Sequence, residues 1–228
     1  PDRLDMNKPG GLPHTIPYYL AEQIKADIIR WRYPPGSNLR EVELGGEFGS
    51  SRGPVREALR ILELQGLVVH SPRRGFRVRK WEQEDLRQLY RLRAQLEGEV
   101  IDALAGKDVT ALADALDQIN ADMLRHAREG AIDAYFSANI AFHQRIIDGA
   151  ESAVLSAIMV QMNAMSLPAR YMLLSTEFSG RPQYDYHSRI SAAIRDRNFP
   201  LARRLTTEHV TTNLSQAIEA YEKALNGA

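Results

Sequence analysis

Apolar residues begin to repeat at helical spacing from Ile16. Leu20, Ile24 and Ile28 recur every four residues and give one buried face, which ends before Pro34-Pro35-Gly36. Leu39, Val42 and Leu44 predict a second, short helix that reaches Phe48 and is closed by Gly49. A third helix is expected with Gly53 as N-cap and Pro54 at its first position; Val55, Leu59 and Leu62 form its apolar stripe and Gly66 ends it. Residues 67–70 and 76–79 then alternate in the manner of short strands around the turn Pro72-Arg73-Arg74-Gly75. Three helices followed by a hairpin give the outline of a winged helix-turn-helix over residues 16–80.

Beyond Trp81 the periodicity is helical throughout. Successive helices are marked by Leu86, Leu89, Leu96, Val100 and Leu104; by Leu112, Leu116, Ile119 and Met123; and by Tyr135 or Phe136 with Ile140, His143 and Ile147. Val154, Ile158, Met162 and Met165 predict a fourth, broken or kinked at Pro168. After a polar loop holding Gly180 and Pro182, a fifth carries His187, Ile190 and Ile194. A sixth opens at Phe199-Pro200 and carries Leu205, His209 and Ile218. The expected fold is mainly α: a winged helix, a linker at residues 81–84, and an all-α antiparallel bundle over residues 85–225. Residues 1–15 have little to bury and are expected to form a flexible tail.

Composition narrows the chemistry. The 228 residues include no cysteine, which excludes a disulfide scaffold, a cysteine zinc finger and a thiol nucleophile. The longest apolar run, residues 153–160, is too short for a bilayer, and no signal-peptide core precedes Arg30. A cytoplasmic protein without membrane attachment is expected. Net charge is zero, but residues 1–80 carry 14 Lys and Arg against 9 Asp and Glu, and the remainder 15 against 20. Only the front part suits a polyanion.

A helix that reads DNA puts its first turn in the major groove while its apolar side holds the domain together. The run Ser51-Arg52-Gly53-Pro54-Val55-Arg56 supplies that arrangement, and Arg73, Arg74 and Gly75 stand at the hairpin tip. Together with Pro34-Pro35-Gly36-Ser37-Asn38-Leu39-Arg40-Glu41 and Glu57-Ala58-Leu59-Arg60, this stretch resembles the GntR family of bacterial regulators. The resemblance implies a homodimer on a palindromic double-stranded operator, with Arg52, Gly53, Pro54, Arg56, Arg74 and Gly75 at the DNA. Two departures stand out: Gly53 occupies a position where the family usually has threonine, and Val42 one where some members carry arginine.

Three of the six histidines, His143, His187 and His209, fall on three different predicted helices, and Asn139 lies one turn before His143. Three converging imidazoles suit a first-row divalent metal with open positions; they equally suit a hydrogen-bonded polar core. Residues 85–225 resemble the FCD ligand-sensing domain of the FadR subfamily, through Leu89-Tyr90-Arg91-Leu92-Arg93, Leu96-Glu97, Asn139-Ile140-Ala141-Phe142-His143, His187 and His209. Many such domains bind a metal through Asp-x3-His and two later histidines, with a small carboxylate effector completing the site. The resemblance therefore implies metal ligation by His143, His187 and His209, with Asn139 standing where aspartate is usual. Zinc or nickel suits such a histidine set better than manganese. Arg93 takes the place of an arginine that can pair with an effector carboxylate, or it pairs with Glu97 one turn on. Arg170 and Asn213 are further candidates to border the effector.

The expected function is a bacterial transcription repressor controlled by a small carboxylate, and not an enzyme. A metalloenzyme is the rival class, but it needs a general base that only Asp148, Asp185 or Glu208 could bring near the histidines. A regulator whose bundle is a metal-free dimerisation module is the second rival.

Overall fold

The computed structural model describes residues 15–177 and 184–227. Residues 1–14 of the tail expected over 1–15, and the loop residues Gly180 and Pro182, lie outside them. The chain divides into two compact units, residues 1–82 with 223–228 and residues 83–222.

In the first unit, α1 (Ile16–Ile29) buries Leu20, Ala21, Ile24 and Ile28, the face its four-residue spacing predicts. Leu39 belongs to a short strand, β1 (Asn38–Leu39), and not to the second helix. That helix, α2 (Glu41–Phe48), buries Leu44, while Val42 points outward and is 66% exposed. Alternation at residues 39, 42 and 44 is too short to separate a strand end from a helix start. Gly49 closes α2 in the left-handed region (φ 62°), a conformation that costs glycine nothing.

The turn into α3 (Arg52–Leu64) depends on Gly45. Its carbonyl accepts the Ser50 N–H at 2.9 Å, and a Cβ there would lie 2.7 Å from the Ser50 carbonyl oxygen. The N-cap of α3 is Ser51, so Gly53 and Pro54 lie inside the first turn. Proline is tolerated there because the first N–H groups of a helix have no intrahelical acceptor. Val55, Ala58, Leu59 and Leu62 are fully buried. The wing is a three-stranded antiparallel sheet in the order β1-β3-β2, with β2 at Val68–Ser71 and β3 at Gly75–Val78. Leu39 pairs with Phe76, and Ser71 with Gly75, so β1 ties the wing back to the entry of α2.

The second unit is helical among its described residues: α4 (Gln83–Asp102), α5 (Thr110–Arg128), α6 (Ile132–Gly149), α7 (Ala153–Glu177), α8 (Tyr184–Arg195), α9 (Phe199–Thr212) and most of α10 (Leu214–Gly227). Ile101, Leu104, Leu116, Phe142, Met159, Ile190, Ile194 and Leu205 meet in one core. Helix α7 is not broken at Pro168 but continues helical through it. Two further expectations fail here. On the same helix Val154 and Ile158 are exposed, and Met159, Ala164, Leu167 and Leu173 are buried instead. The helix is apolar on nearly every side, so spacing alone does not select its buried face. The predicted sixth helix is two, separated at Asn213. Asn198 caps α9 by accepting the Leu201 N–H at 3.2 Å, with Pro200 in the first turn.

Candidate functional site

Arg52 occupies the first position of α3 and Arg56 lies one turn further along. Both guanidiniums are more than half exposed. Glu41, at the start of α2, receives both: Arg56 through Nε at 2.8 Å and Nη2 at 2.9 Å, and Arg52 through Nη2 at 3.4 Å. The Arg56 hydrogen bonds hold the Glu41 carboxyl below its usual range, against a smaller opposing effect of burial. Two flexible side chains are thereby pre-aimed from one anchor. Gly53 leaves open space around any Cβ, so threonine would fit there without a clash. At the wing tip Arg73 is left-handed (φ 66°) and Gly75 likewise (φ 74°), and Arg73, Arg74 and Gly75 are all exposed. Glu41 was not singled out from sequence; its spacing from Arg52 and Arg56 carries no local pattern.

In the helical unit, α6 supplies His143, α8 supplies His187 and α9 supplies His209. All three are buried, and one ligand atom from each lies within 4.8 Å of the others. The ring centroids are 5.5, 5.4 and 4.6 Å apart in the pairs 143–187, 143–209 and 187–209. Burial holds all three imidazoles below their ordinary pKa, aided for His187 and His209 by neighbouring imidazoles; His209 falls to about 3. Each is neutral at pH 7, the form that donates a lone pair to a metal.

Around this cluster lies a charged belt. Arg93 on α4 donates to Glu97 at 2.6 Å, and the other Glu97 oxygen stands 3.2 Å from His143 Nδ1. Burial alone would raise the Glu97 pKa, but Arg93, then His143 and Arg170, reverse this and keep it ionised. The carboxylate accepts a hydrogen bond from Nδ1–H of His143, which keeps the proton on Nδ1 and leaves Nε2 with the imidazole's free lone pair. Glu97 was read from sequence only as the alternative partner of Arg93; its role toward His143 had no signal beyond one-turn spacing.

Asn139 is held from two sides. Arg170 on α7 donates to its Oδ1 at 2.6 Å, which directs its Nδ2 toward His187 Nε2 at 3.2 Å. With the amide oriented by Arg170, His187 accepts at Nε2 and carries its proton on Nδ1. The three histidines fit a divalent cation in number, neutrality and spacing. Asn139 does not fit as the fourth donor in this arrangement, because its oxygen is committed to a guanidinium. Burial, then Arg93, lowers the Arg170 pKa to about 10, still cationic at neutral pH.

Tyr90, Arg93, Asn139, His143, Arg170, His187, His209 and Asn213, with Tyr135, Leu173, Leu174 and Val210, line one cavity of about 30 Å3. All seven bundle residues expected from sequence border it. Two guanidiniums against one carboxylate give its surroundings a net positive charge.

Residues 88–212 match the FCD domain, and residues 19–78 match the bacterial regulatory proteins of the gntR family. The chain belongs to the GntR family, FCD-containing branch. Its relatives are transcription regulators and not enzymes. They include the Escherichia coli HTH-type transcriptional repressor GlaR, 28% identical over 203 residues, spanning 83% of this chain and 90% of GlaR. The Bacillus subtilis HTH-type transcriptional regulator YdhC is 26% identical over 204 residues, spanning 87% of this chain and 90% of YdhC. The Escherichia coli McbR/YncC structure superposes with a TM-score of 0.78 at 20% identity, covering 91% of this GntR chain and 99% of that one. That likeness shows the fold. No helix among the described residues is long and apolar enough to cross a membrane.

Proposed function

We propose that this GntR-family regulator is a cytoplasmic, homodimeric repressor whose grip on a palindromic operator is set by a small carboxylate in the helical unit. The observation that carries the proposal is the net positive cavity walled by three neutral imidazoles and two buried guanidiniums. An anion entering it meets charge already desolvated, where ion pairing is strongest. Arg93, Arg170 and Asn213 border the effector. His143, His187 and His209 hold a divalent cation, zinc or nickel, which would supply a further positive centre for the carboxylate. At the DNA, Arg52, Gly53, Pro54 and Arg56 enter the major groove, and Arg74 and Gly75 reach the adjoining groove. The exposed Val154, Ile158 and Val160 of α7 form the apolar surface that a second copy covers.

The test is fluorescence anisotropy on operator DNA with small carboxylic acids, with and without a chelator. One acid should shift operator affinity at least about tenfold, roughly 1.4 kcal/mol, and the chelator should diminish that shift. Operator affinity indifferent to every acid would refute the sensing role. A metal-free cavity is the second reading. The Arg170–Asn139–His187 chain of hydrogen bonds favours it, since it occupies the His187 lone pair. An acid response that survives full chelation would establish that reading.

A further inference from the structure

The cavity contains a polar group that neither the metal nor the carboxylate charge requires. Tyr90 stands on α4, one turn before Arg93. Its ring is fixed in a small apolar cluster with Ala94, Leu173, Val210 and Ala217. Tyr90 lines the cavity, and its hydroxyl is buried with no hydrogen-bond partner among the described residues. Arg93 shares the condition: one Nη is spent on Glu97 at 2.6 Å, while Nε is buried without a partner. The Nδ1 atoms of His187 and His209 are likewise unpartnered. Buried polar atoms are ordinarily paired, so four such atoms on residues that line one cavity mark a surface built to meet a ligand.

The two groups on α4 ask for different things. Arg93 and Arg170 are permanent cations, suited to the two oxygens of a carboxylate. Tyr90 is a phenol; burial, the largest influence on it, raises its pKa, so it stays neutral and both donates and accepts. A plain monocarboxylate has no third oxygen to give it. A hydroxyl beside the carboxylate does, and it too donates and accepts. The Arg93 guanidinium lies over the Tyr90 ring, 5.4 Å from its centroid, which favours such an oxygen on a carbon close to the carboxylate.

We infer that Tyr90 is a ligand-binding residue that selects a 2-hydroxy carboxylate over the same acid without its hydroxyl. The inference rests on the carboxylate reading above and adds the class of acid. Tyr90 acts by position: its ring cannot turn away without leaving Leu173, Val210 and Ala217, so an acid lacking the hydroxyl leaves the phenol unpaired.

The experiment is calorimetric titration of the full chain, at one measured metal content, with glycolate against acetate and malate against succinate. The wild type should prefer the hydroxy acid in at least one pair by about tenfold. Tyr90→Phe keeps the ring and removes only the hydroxyl. It should bind acetate and succinate as the wild type does and lose the preference, with an unchanged melting temperature in the absence of acid. Equal affinity within both pairs in the wild type overturns the inference and leaves the carboxylate reading standing. So does a preference that survives in Tyr90→Phe. If none of the four acids binds the wild type, the carboxylate reading falls and this inference falls with it. Should Tyr90→Phe fail to fold, Tyr90→Trp, which keeps an aromatic ring but moves the polar atom, replaces it under the same criteria.

Discussion

Changing Asn139 to aspartate would replace the one group in the histidine cluster whose present bonds oppose a metal. In the wild type a cation bound at His187 Nε2 must displace the 3.2 Å hydrogen bond from Asn139 Nδ2. That loss costs about 1 kcal/mol. Aspartate has no N–H to give, so this cost disappears, and it adds a negative charge within reach of the cation. Unit charges about 4 Å apart attract by about 4 kcal/mol at the effective dielectric of a protein site, and a divalent ion doubles this. Most of that gain is offset by carboxylate desolvation and by Arg170, which already lies 2.6 Å from Oδ1 and would pair with the new carboxylate. A net tightening of about 3 kcal/mol, roughly a hundredfold in Kd, is expected for zinc or nickel. The assay is competition with a chromophoric chelator, using chelator-stripped wild type and Asn139→Asp. The added carboxylate should also weaken binding of an anionic effector, since it cancels the net positive charge of the cavity. Equal metal affinity in the two proteins would refute the argument and place position 139 outside the influence of any bound ion.

Glu41→Gln removes the anchor of Arg52 and Arg56 and one negative charge at the reading surface. It should tighten binding to scrambled duplex while reducing the preference for operator by about tenfold, measured by anisotropy at fixed salt. The buried histidines make stability pH-dependent. Their folded pKa values lie below the unfolded value, so the unfolded chain binds more protons as pH falls below about 6.5. Stability should be full above that pH and decline below it toward pH 5, by up to about 1.4 kcal/mol per pH unit for each histidine. His209→Gln should flatten the slope in calorimetry, and an identical slope would contradict burial as the cause. Ile158→Glu puts a charge on the exposed apolar side of α7 and should convert the proposed dimer to monomer in sedimentation without unfolding it.

The winged helix was legible because its signals are local. Pro34-Pro35-Gly36, the left-handed Gly49 and the stripe Val55, Leu59, Leu62 each act within a few residues. The α3 cap was misplaced because Pro54 is permitted at several first-turn positions. The histidines were found because each stands on an otherwise apolar face, where an imidazole is conspicuous. Spacing gave no view of what surrounds them. That Asn139 gives its oxygen to Arg170, that Glu97 serves both Arg93 and His143, and that Glu41 braces two arginines all depend on side chains that only the folded chain brings together. The buried face of α7 failed for the opposite reason: too many apolar residues compete for it.

Glu97 has a bearing on how this chain can change over time. One carboxylate satisfies an arginine on the cavity wall and an imidazole of the histidine cluster, and it lies buried between them. Loss of Arg93 would leave it short of a counter-charge, and loss of His143 would leave an oxygen without a donor. Loss of Glu97 itself would bring two guanidiniums and three imidazoles together with no anion among them. None of the three positions is free to drift alone. A descendant that remodels the histidine cluster or the cavity wall must alter residues 93, 97 and 143 in concert, or first pass through a less stable bundle.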